Sequence, residues 1–449
     1  MEKKTKGKTK TKAAEGTRER KPNACHTSTF RLKNWQEVYA SVEDIQAFLD
    51  GRVMLRYNVV TRRTECHLLA EFVDEMPQQV LWEPISDRVV NTLWKELSGQ
   101  KPVRIQDMWR VIESDYVPEY DPFLFYLSRL PPWNEDHPDY IMELSLSVNV
   151  KGDSDEQILF YDYLKKWLVA MVAGWVDDTV VNNVMLVLIG EQGSYKTTWF
   201  GYLLPPELKT YFYTKTNANR MTKDDLLTLT QYGLICCEEL DTMRPAELNQ
   251  LKAAMTMTAV DERAAYARFH EHRKHIASFC GTGNNVQFLS DSTGNRRWLP
   301  FEVTSIESPR SSPFCYEGIY SQAYALYRQG FQYWFSPDEI RRLARHNEHF
   351  ETASLEKELI DQYFRRPQGQ EPGEFLPVSM ALQIVGMGIT QKLSTVLLGR
   401  AFTDLGFRFK KSHGVRGYVV VRRSAEEMRS LRQHLAQDGA VGADGAPVF

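Results

Sequence analysis

Short apolar runs separated by helical patterns dominate the middle of the chain. Four of these runs are typical of strands: Val184–Ile189, Gly233–Cys237, Ile276–Cys280 and Trp298–Val303. Runs that are apolar throughout, rather than at alternate positions, are typical of parallel strands covered on both faces. A helical pattern over Gln157–Val172 precedes the first run. The pattern therefore predicts an α/β core over residues 151–345.

The segments on either side of this core have different patterns. Residues 27–150 combine several helical patterns with two β-type runs, Val53–Val60 and Glu65–Leu69, and predict a mainly helical N-terminal module. Residues 346–374 end in a stretch rich in Pro, Gly, Gln and Glu, which predicts a linker. Residues 375–430 contain two helical patterns followed by two strands, which is the layout of a winged helix.

The two ends of the chain lack the apolar residues needed for a core. The first 24 residues contain nine Lys and Arg, so residues 1–26 are predicted to form a disordered basic arm, which acts on phosphates or serves only as a solubilising tail. Residues 431–449 are rich in Gly and Ala and predict a flexible tail.

Composition narrows the class of protein. Of 449 residues, 43% are hydrophobic and 25% are charged, which is ordinary for a soluble globular protein. The net charge is −3, so any nucleic-acid surface has to be local. The six cysteines form no C-x-x-C pair, which disfavours a disulfide framework or a zinc ribbon. No apolar stretch approaches the roughly 20 residues of a membrane span, and we expect a cytoplasmic protein without membrane contact.

The segment after the first predicted strand has the composition of a phosphate-binding loop. A phosphate chain requires converging backbone N–H groups, a helix N-terminus, a mobile cation and a hydroxyl group for Mg²⁺. In this segment Lys196 is the expected ligand of the β- and γ-phosphates, and Thr197 the expected ligand of the metal. The predicted binding residues for ATP and Mg²⁺ are Gly190, Gly193, Ser194, Tyr195, Lys196, Thr197 and Thr198.

The position before the lysine departs from the usual pattern. It is ordinarily glycine in such loops, whereas this chain has Tyr195. A side chain there has to point away from the nucleotide, or the loop has to open differently. The alternative interpretation is a glycine-containing turn between a strand and a helix with a chance Lys-Thr pair.

Acidic residues follow the second predicted strand. Glu238 and Glu239 end the run Gly233–Cys237 and are the predicted catalytic carboxylates. Glu238 is the expected metal partner and Glu239 the expected general base, because nucleotide hydrolysis needs both functions. The alternative is that both acids begin a solvated loop together with Asp241.

A polar amide follows the third strand, and two arginines precede the fourth. Asn284 is predicted to hold the attacking water or to sense the γ-phosphate, although an Asn in a Gly-rich turn is also a common turn former. Arg296 and Arg297 suit an arginine finger that reaches the γ-phosphate of a neighbouring subunit. The alternative for this pair is surface charge at a hairpin tip.

Together these motifs resemble the virulence-associated E family. The resemblance covers roughly residues 120–310 and also includes Pro131-Pro132-Trp133, Val260–Tyr266 and Thr293–Trp298. The family consists of P-loop ATPases of phages and mobile elements, and it is similar to superfamily 3 DNA helicases. The resemblance implies an AAA+-like ATPase core that is hexameric when active and acts in the replication of a mobile element.

The family's roles can be carried over to individual residues. They imply a Walker A role for Lys196 and Thr197, a Walker B role for Glu238 and Glu239, and a sensor role for Asn284. Arg296 or Arg297 would be the arginine finger. Family members are often coupled to a primase, and this chain carries no primase signature, so the resemblance implies a separate primase as a partner.

A basic cluster lies between the acidic strand and Asn284. In superfamily 3-like motors a hairpin at this place carries Lys and His into a central pore, so the resemblance implies contact with single-stranded DNA. Cations for phosphates and rings for bases support that reading. The predicted DNA contacts are Arg268, His272, Arg273, Lys274 and His275. A solvated basic hairpin and a zinc site at His270 and His272 are the alternatives.

The last predicted hairpin is also basic. Six Lys and Arg occur within residues 408–423, on a chain that is acidic overall. Lys410, Lys411 and Arg416 are the predicted contacts to single-stranded or double-stranded DNA, and a protein-docking face is the alternative.

Three functions are consistent with these motifs. The favoured function is an oligomeric, ATP-dependent DNA helicase or translocase. The second is a DNA-binding initiator or regulator that uses the nucleotide as a switch and has no motor activity, which the departure at Tyr195 would suit. The third is a P-loop phosphotransferase acting on a small molecule, which leaves both the basic hairpin and the Asn284 strand unexplained.

Overall fold

The computed structural model describes residues 39–69, 82–216, 222–262, 271–289, 295–352, 355–369, 371–387, 393–412 and 414–430. The predicted basic arm, the predicted flexible tail and Arg268 lie outside these residues. The chain divides into two compact units, one formed by Met1–Tyr57 and Arg63–Glu119, the other by Asn58–Arg62 and Tyr120–Phe449. Within the described residues, no helix combines the length and apolar character needed to cross a membrane.

The first unit combines three helices with a small sheet. Ser41 begins helix α1 with a reciprocal cap, in which its Oγ accepts from the N–H of Asp44 and its own N–H donates to the Asp44 carboxylate. The sheet has the strand order β3-β2-β1-β4. The elements are α1 (Val42–Asp50), β1 (Val53–Asn58), β2 (Arg63–Leu68), β3 (Glu83–Pro84), α2 (Asp87–Ser98), α3 (Ile105–Ile112) and β4 (Glu119–Tyr120).

The N-terminal module combines its helices with a sheet and ends earlier than predicted. Its three helices contain more residues than its strands, and the two β-type runs pair with two short edge strands in the sheet. The module ends near residue 119 rather than residue 150. The chain beyond Tyr120 packs with the larger unit, where Phe123 stacks on Trp175 with ring centroids 4.6 Å apart.

The larger unit is built on a six-stranded, mainly parallel sheet. Its strand order is β5-β12-β6-β11-β8-β7, and only β5 runs antiparallel to its neighbour. The predicted strands all occur, with bounds shifted by a few residues. The strands are β5 (Val148–Val150), β6 (Met185–Ile189), β7 (Phe212–Lys215), β8 (Leu234–Cys237), β11 (Ser278–Gly283) and β12 (Trp298–Ile306); β9 (Ala259–Glu262) and β10 (Glu271–Lys274) form a separate antiparallel hairpin.

Both faces of this sheet are covered, which explains the uninterrupted apolar runs. Successive residues of β6 alternate between two cores, with Leu186 and Leu188 in one and Val187 and Ile189 in the other. The helices are α4 (Pro122–Ser128), α5 (Tyr140–Leu146), α6 (Ser154–Val176), α7 (Lys196–Leu203), α8 (Lys223–Gln231), α9 (Pro245–Met255), α10 (Tyr316–Arg328) and α11 (Pro337–Asn347), with short 3₁₀ helices at Pro206–Tyr211, Leu240–Thr242, Asn295–Arg297 and Glu348–Phe350.

The C-terminal part of the chain folds around its own small core. Its elements are α12 (Leu355–Tyr363), β13 (Phe364–Arg365), β14 (Glu374–Pro377), α13 (Val378–Val385), α14 (Thr395–Asp404), β15 (Arg408–Ser412) and β16 (Val415–Arg422). Phe402 of α14 stacks on Tyr418 of β16 with centroids 4.9 Å apart, which ties the helices to the hairpin. The predicted linker 346–374 is wrong in part, because Leu359 and Ile360 of α12 belong to this core.

Candidate nucleotide site

Three neighbouring parallel strands bring the predicted residues to one edge of the sheet. Strand β11 pairs with β6 on one side and with β8 on the other. Because the strands are parallel, their carboxyl ends meet at the same edge, where ligands bind in open α/β sheets. The loop 190–195 leaves β6 there, Glu238 follows β8, and Asn284 follows β11.

The loop 190–195 needs its glycines for two different reasons. A Cβ atom at Gly190 would lie 2.8 Å from the carbonyl oxygen of Val303, so close packing against β12 requires glycine there. Gly193 has φ 87°, a left-handed conformation that disfavours other residues. Tyr195 is also left-handed, with φ 62° and ψ 11°, and its side chain is 47% exposed. The tyrosine therefore adopts a conformation that suits the usual glycine and directs its ring into solvent.

Lys196 joins the loop to the end of β11. Its Nζ donates to the carbonyl oxygens of Gly190, at 2.7 Å, and Glu191, at 2.6 Å. It also lies 3.2 Å from Ser194 Oγ and 3.5 Å from Asn284 Oδ1. Burial lowers the pKa of Lys196, and the charge of Asp241 acts in the opposite direction.

The start of helix α7 presents hydroxyl groups beside this lysine. Thr197 and Thr198 are half-buried, and within the described residues their hydroxyl groups form no hydrogen bond. Ser194 Oγ, by contrast, donates to the carbonyl oxygen of Glu191 at 2.8 Å. The first N–H groups of a helix have no partner inside the helix and attract anions. This end of the helix can therefore accept an anion.

The twin glutamates lie at the exit from β8. The N–H of Glu238 donates to the carbonyl oxygen of Lys215 on β7 at 3.2 Å, so Glu238 extends the strand pairing, and its side chain is half-buried. Glu239 is exposed and has φ 54° and ψ 43°, which turns the chain back into the 3₁₀ helix Leu240–Thr242. The structure thus brings both acids to the predicted edge. Glu238 is half-buried and paired through its backbone to β7, whereas Glu239 is exposed on a left-handed turn.

A third acid, Asp241, has a role at this edge that the sequence analysis missed. Its Oδ2 accepts from the N–H of Asn285 at 3.0 Å, directly beside Asn284. Its Oδ1 is buried and has no hydrogen-bond partner among the described residues. Gly281 and Gly283 leave the space that this turn occupies, since a Cβ at Gly283 would lie 3.1 Å from Asp241 Oδ1. In the sequence, the two glycines, two positions apart on a buried strand, were the only indication that another segment packs against β11 here.

The two predicted finger arginines lie on a braced turn. Asn295, the first residue of their 3₁₀ helix, is buried, and its Nδ2 donates to Glu351 Oε1 at 2.7 Å. Asn347 Nδ2 donates to the carbonyl oxygen of Asn295 at 2.8 Å. Arg296 is exposed, whereas burial, followed by the charge of Arg296, lowers the pKa of Arg297. Neither arginine forms an ion pair with any residue that the structure describes.

The hairpin β9–β10 corrects part of the predicted DNA surface. His275 is fully buried, and its Nδ1 lies 2.7 Å from the carbonyl oxygen of Met257; Arg273 is only 7% exposed. Lys274 is paired with Asp178 at 3.2 Å, and His272 alone is largely exposed, paired with Asp261 at 2.6 Å. Arg273 and His275 are therefore wrong as exposed DNA contacts. Alternation along β10 turns Arg273 inward, and His275, which follows the strand, is buried with its ring against Phe279.

Metal-ligating clusters do not accompany this hairpin. Within the described ranges, no group of three or more His, Cys, Asp or Glu side chains is arranged to hold a metal ion. The alternative zinc site at His270 and His272 receives no support from the described part of the hairpin, and His270 itself lies outside it.

The C-terminal hairpin β15–β16 presents several exposed cations. Lys411 pairs in register with Arg416, and Lys410 with Gly417. All three cations are exposed, and none forms an ion pair with a described residue. Arg422 differs, because its Nε lies 2.5 Å from Glu374 Oε1. Phe409, which the sequence analysis did not single out, is 54% exposed between Arg408 and Lys410.

The comparison with known protein families agrees with the motifs. The family described as "Virulence-associated protein E-like domain" matches residues 145–352. None of the curated proteins matches the sequence. Three solved structures of the C-terminal region of NrS-1 have TM-scores of 0.46, 0.46 and 0.44 to this chain at 13%, 15% and 14% identity. Each comparison covers 84% of this chain and 98% of the other. Residues 145–352 of this chain are therefore similar to the virulence-associated protein E-like domain, the family that the motifs resemble.

Proposed function

We propose that this protein is a Mg²⁺-dependent ATPase that acts on DNA during the replication of a phage or mobile element. The observation that carries the proposal is the approach of Lys196 Nζ to Asn284 Oδ1, at 3.5 Å, on the carboxyl edge of a parallel sheet. A cation on a glycine loop and an amide on the neighbouring strand are what a nucleotide-hydrolysing site requires.

The lysine's contacts are consistent with a loop that receives phosphates. Lys196 donates to two carbonyl oxygens of its own loop, and the oxygens of a triphosphate would replace them as charge-assisted partners. The N-terminus of α7 would supply backbone N–H groups. Thr197, whose hydroxyl is uncommitted among the described residues, would bind the cation, which would neutralise charge that develops on the phosphates. Glu238 and Glu239 would supply the carboxylates for the cation's shell and the attacking water.

Arg296 would act as the arginine finger that reaches the γ-phosphate of a neighbouring subunit, with Arg297 behind it. The exposed guanidinium of Arg296 stands on a turn fixed by buried Asn295 and Asn347, so it can be presented outward without collapsing onto the subunit. A charge presented in this way stabilises a γ-phosphate bound to a neighbouring copy. Hydrolysis at an interface between subunits, and therefore a homo-oligomer, follows from this assignment. The resemblance to the family implies that the oligomer is hexameric when active.

The DNA contact is assigned to the winged-helix-like C-terminal domain. Lys410, Lys411 and Arg416 have no acidic partners to neutralise them among the described residues, and the exposed ring of Phe409 lies on the same hairpin. Cations beside an exposed aromatic ring suit a single strand, whose phosphates and unstacked bases are both accessible.

The second candidate function is an ATP-switched DNA-binding initiator without motor activity. The burial of Arg273 and His275 favours it, because a pore hairpin needs its cations exposed. The separate primase expected from the family would act with either form.

Steady-state ATP hydrolysis, measured with and without single-stranded DNA, tests the proposal. We expect Lys196→Ala to abolish hydrolysis while the exposed control Lys95→Ala retains it. Persistent hydrolysis by folded Lys196→Ala would overturn the assignment of the site. Hydrolysis stimulated by single strands supports the motor, and slow hydrolysis indifferent to DNA supports the switch; size measurement with and without ATP tests the oligomer.

A further inference from the structure

The carboxylate of Asp241 is held at the sheet edge that carries the candidate nucleotide site. The left-handed backbone of Glu239 turns the chain over the end of β11, and Leu240 fills the space above Gly281. Asp241 then lies against Gly283, which is the register partner of Ile189 at the end of β6. A residue that follows the acidic strand β8 therefore reaches the end of β11, the strand beside the one that carries the phosphate-binding loop.

The two oxygens of this carboxylate are in unequal environments. Oδ2 accepts a hydrogen bond from the N–H of Asn285. Oδ1 is shielded from solvent and has no partner among the described residues. Burying a charged oxygen without a partner is costly, and such groups in native proteins commonly face a cation. The positive charge of Lys196 interacts with Asp241, but Lys196 Nζ directs its hydrogen bonds to the carbonyl oxygens of its own loop. It therefore does not serve as a hydrogen-bond partner of Oδ1.

We propose that Asp241 faces the cation of a bound nucleotide and that its Oδ1 accepts a hydrogen bond from the ion's hydration shell. The assignment rests on the proposed function. It adds to Glu238 and Glu239 a carboxylate that is anchored at one oxygen and free at the other. The hydrogen bond to Asn285 keeps the turn that carries Asn284 in place, so Asp241 also acts as a positioning residue.

The sign of the effect on nucleotide binding distinguishes this role from a purely structural one. A negative charge beside the phosphates opposes the binding of a metal-free nucleotide and favours the binding of its magnesium complex. Asp241→Asn removes the charge but retains an oxygen that can accept from Asn285. We therefore expect Asp241→Asn to bind metal-free nucleotide at least as tightly as the wild type does. We also expect the increase in nucleotide affinity on adding Mg²⁺ to be about tenfold smaller in this variant.

The experiment uses the full chain and fluorescently labelled ADP, titrated in EDTA and in excess Mg²⁺. Asp224→Asn, on the exposed face of α8, is the matched control, and Mg²⁺ should increase its affinity for ADP as much as that of the wild type. Asp241→Glu retains the charge and should recover at least part of the gain that Asp241→Asn loses. Thermal melting without nucleotide or metal verifies that each variant is folded, and the Glu variant provides a second test if the Asn variant is not.

The outcomes separate this inference from the proposed function. Weaker binding of metal-free ADP by folded Asp241→Asn, with an unchanged gain from Mg²⁺, would mean that Asp241 only braces the turn. A Glu variant that gains no more than the Asn variant would also overturn the cation-facing role. A wild-type protein that binds no ADP would instead contradict the proposed function itself.

Discussion

Lys196 and Asn284 are 88 residues apart in sequence, yet Lys196 Nζ lies 3.5 Å from Asn284 Oδ1. The approach follows from the pairing of β11 with β6, which places the exits of the two strands side by side. The lysine is buried, whereas Asn284 is exposed and free to turn toward a ligand. Under the proposed function, substituting the amide alone should therefore separate nucleotide binding from nucleotide hydrolysis.

Asn284→Ala should slow ATP hydrolysis without weakening nucleotide binding. The amide would orient the attacking water or the γ-phosphate, and loss of one such group commonly costs about 10²–10³-fold in turnover. We expect turnover to fall at least about tenfold, while the dissociation constant for labelled ADP changes little. Steady-state hydrolysis and fluorescence titration provide the two measurements.

Asn91→Ala, on an exposed position of α2, is the control for this substitution. Unchanged turnover in Asn284→Ala would refute the assigned role. A parallel loss of binding and turnover would show instead that Asn284 helps to hold the nucleotide.

Strands β6 and β8 were predictable because each is apolar along its whole length, whereas β5 and β7 were not predicted. Val184–Ile189 and Gly233–Cys237 are buried on both faces, so their composition alone distinguishes them from the amphipathic helices between them. Because the strands are parallel, their carboxyl ends lie at one edge of the sheet, and the loop 190–195, Glu238 and Asn284 therefore share that edge. These parts of the candidate site follow from local sequence.

Burial of polar side chains was not predictable in the same way. Arg273 and His275 face inward, and His272 faces outward, because the hairpin β9–β10 packs one face against the core. A run of basic residues contains no apolar side chain, so the sequence does not indicate which face of the hairpin packs against the core. The contact of Asp241 with Gly283 depends on the left-handed turn at Glu239, and non-glycine residues rarely signal such a turn in sequence.

At position 195, glycine should give a more stable protein than alanine, the opposite of the usual order in helices. An alanine or tyrosine in the left-handed region costs about 1–2 kcal/mol, a cost that glycine avoids. Tyr195→Gly and Tyr195→Ala both remove the exposed ring, so their difference isolates the backbone. We expect the Gly variant to be more stable than the Ala variant by about 1 kcal/mol in free energy of unfolding.

Urea titration of both variants measures this difference. At position 47, an exposed Ala within helix α1, the same comparison runs the other way, because Gly in a helix is less stable than Ala by about 1 kcal/mol. Equal stability of the two Tyr195 variants would contradict the left-handed assignment.

Gly281 should tolerate no side chain while Leu240 is present. A Cβ at Gly281 would overlap Leu240 Cδ1, and overpacking of this kind costs about 1–3 kcal/mol. Gly281→Ala should therefore lower the melting temperature. Leu240→Ala alone should also destabilise the protein, by about 2–5 kcal/mol, because it leaves a cavity.

The double variant provides the decisive comparison. If the two residues meet as described, adding Gly281→Ala to Leu240→Ala should cost nothing further, since the new methyl group enters the space that leucine vacated. Additive losses would show that the residues do not share this space.

Thiol reactivity should follow burial. Cys66, Cys236, Cys237 and Cys280 are buried, and Cys315 is exposed. Burial is the main cause that raises the pKa of Cys237 and Cys280, and it disfavours the reactive thiolate at both positions. Iodoacetamide at pH 8 should therefore label Cys315 far faster than these two, as peptide mass spectrometry would show. Labelling of Cys237 in the native protein at the rate of Cys315 would contradict the burial.

Replacing Lys411 and Arg416 together by Ala should reduce the salt dependence of DNA binding. The pair lies in register on β15 and β16 without an acidic partner among the described residues, so both charges are available to phosphates. Each phosphate contact to single-stranded DNA contributes about 0.7 to the slope of log K against log salt. The double variant should therefore lose about 1.4 from the slope of the wild type.

Arg422→Ala is the matched control, because Glu374 already neutralises this arginine on the same hairpin. Its slope should equal that of the wild type, and both variants should retain basal ATP hydrolysis because neither change touches the candidate nucleotide site. Fluorescence anisotropy with a labelled single strand at several salt concentrations gives the slopes. An undiminished slope in the double variant would show that these cations do not contact the DNA, and a loss in Arg422→Ala would show that the hairpin binds through charge already paired in the free protein.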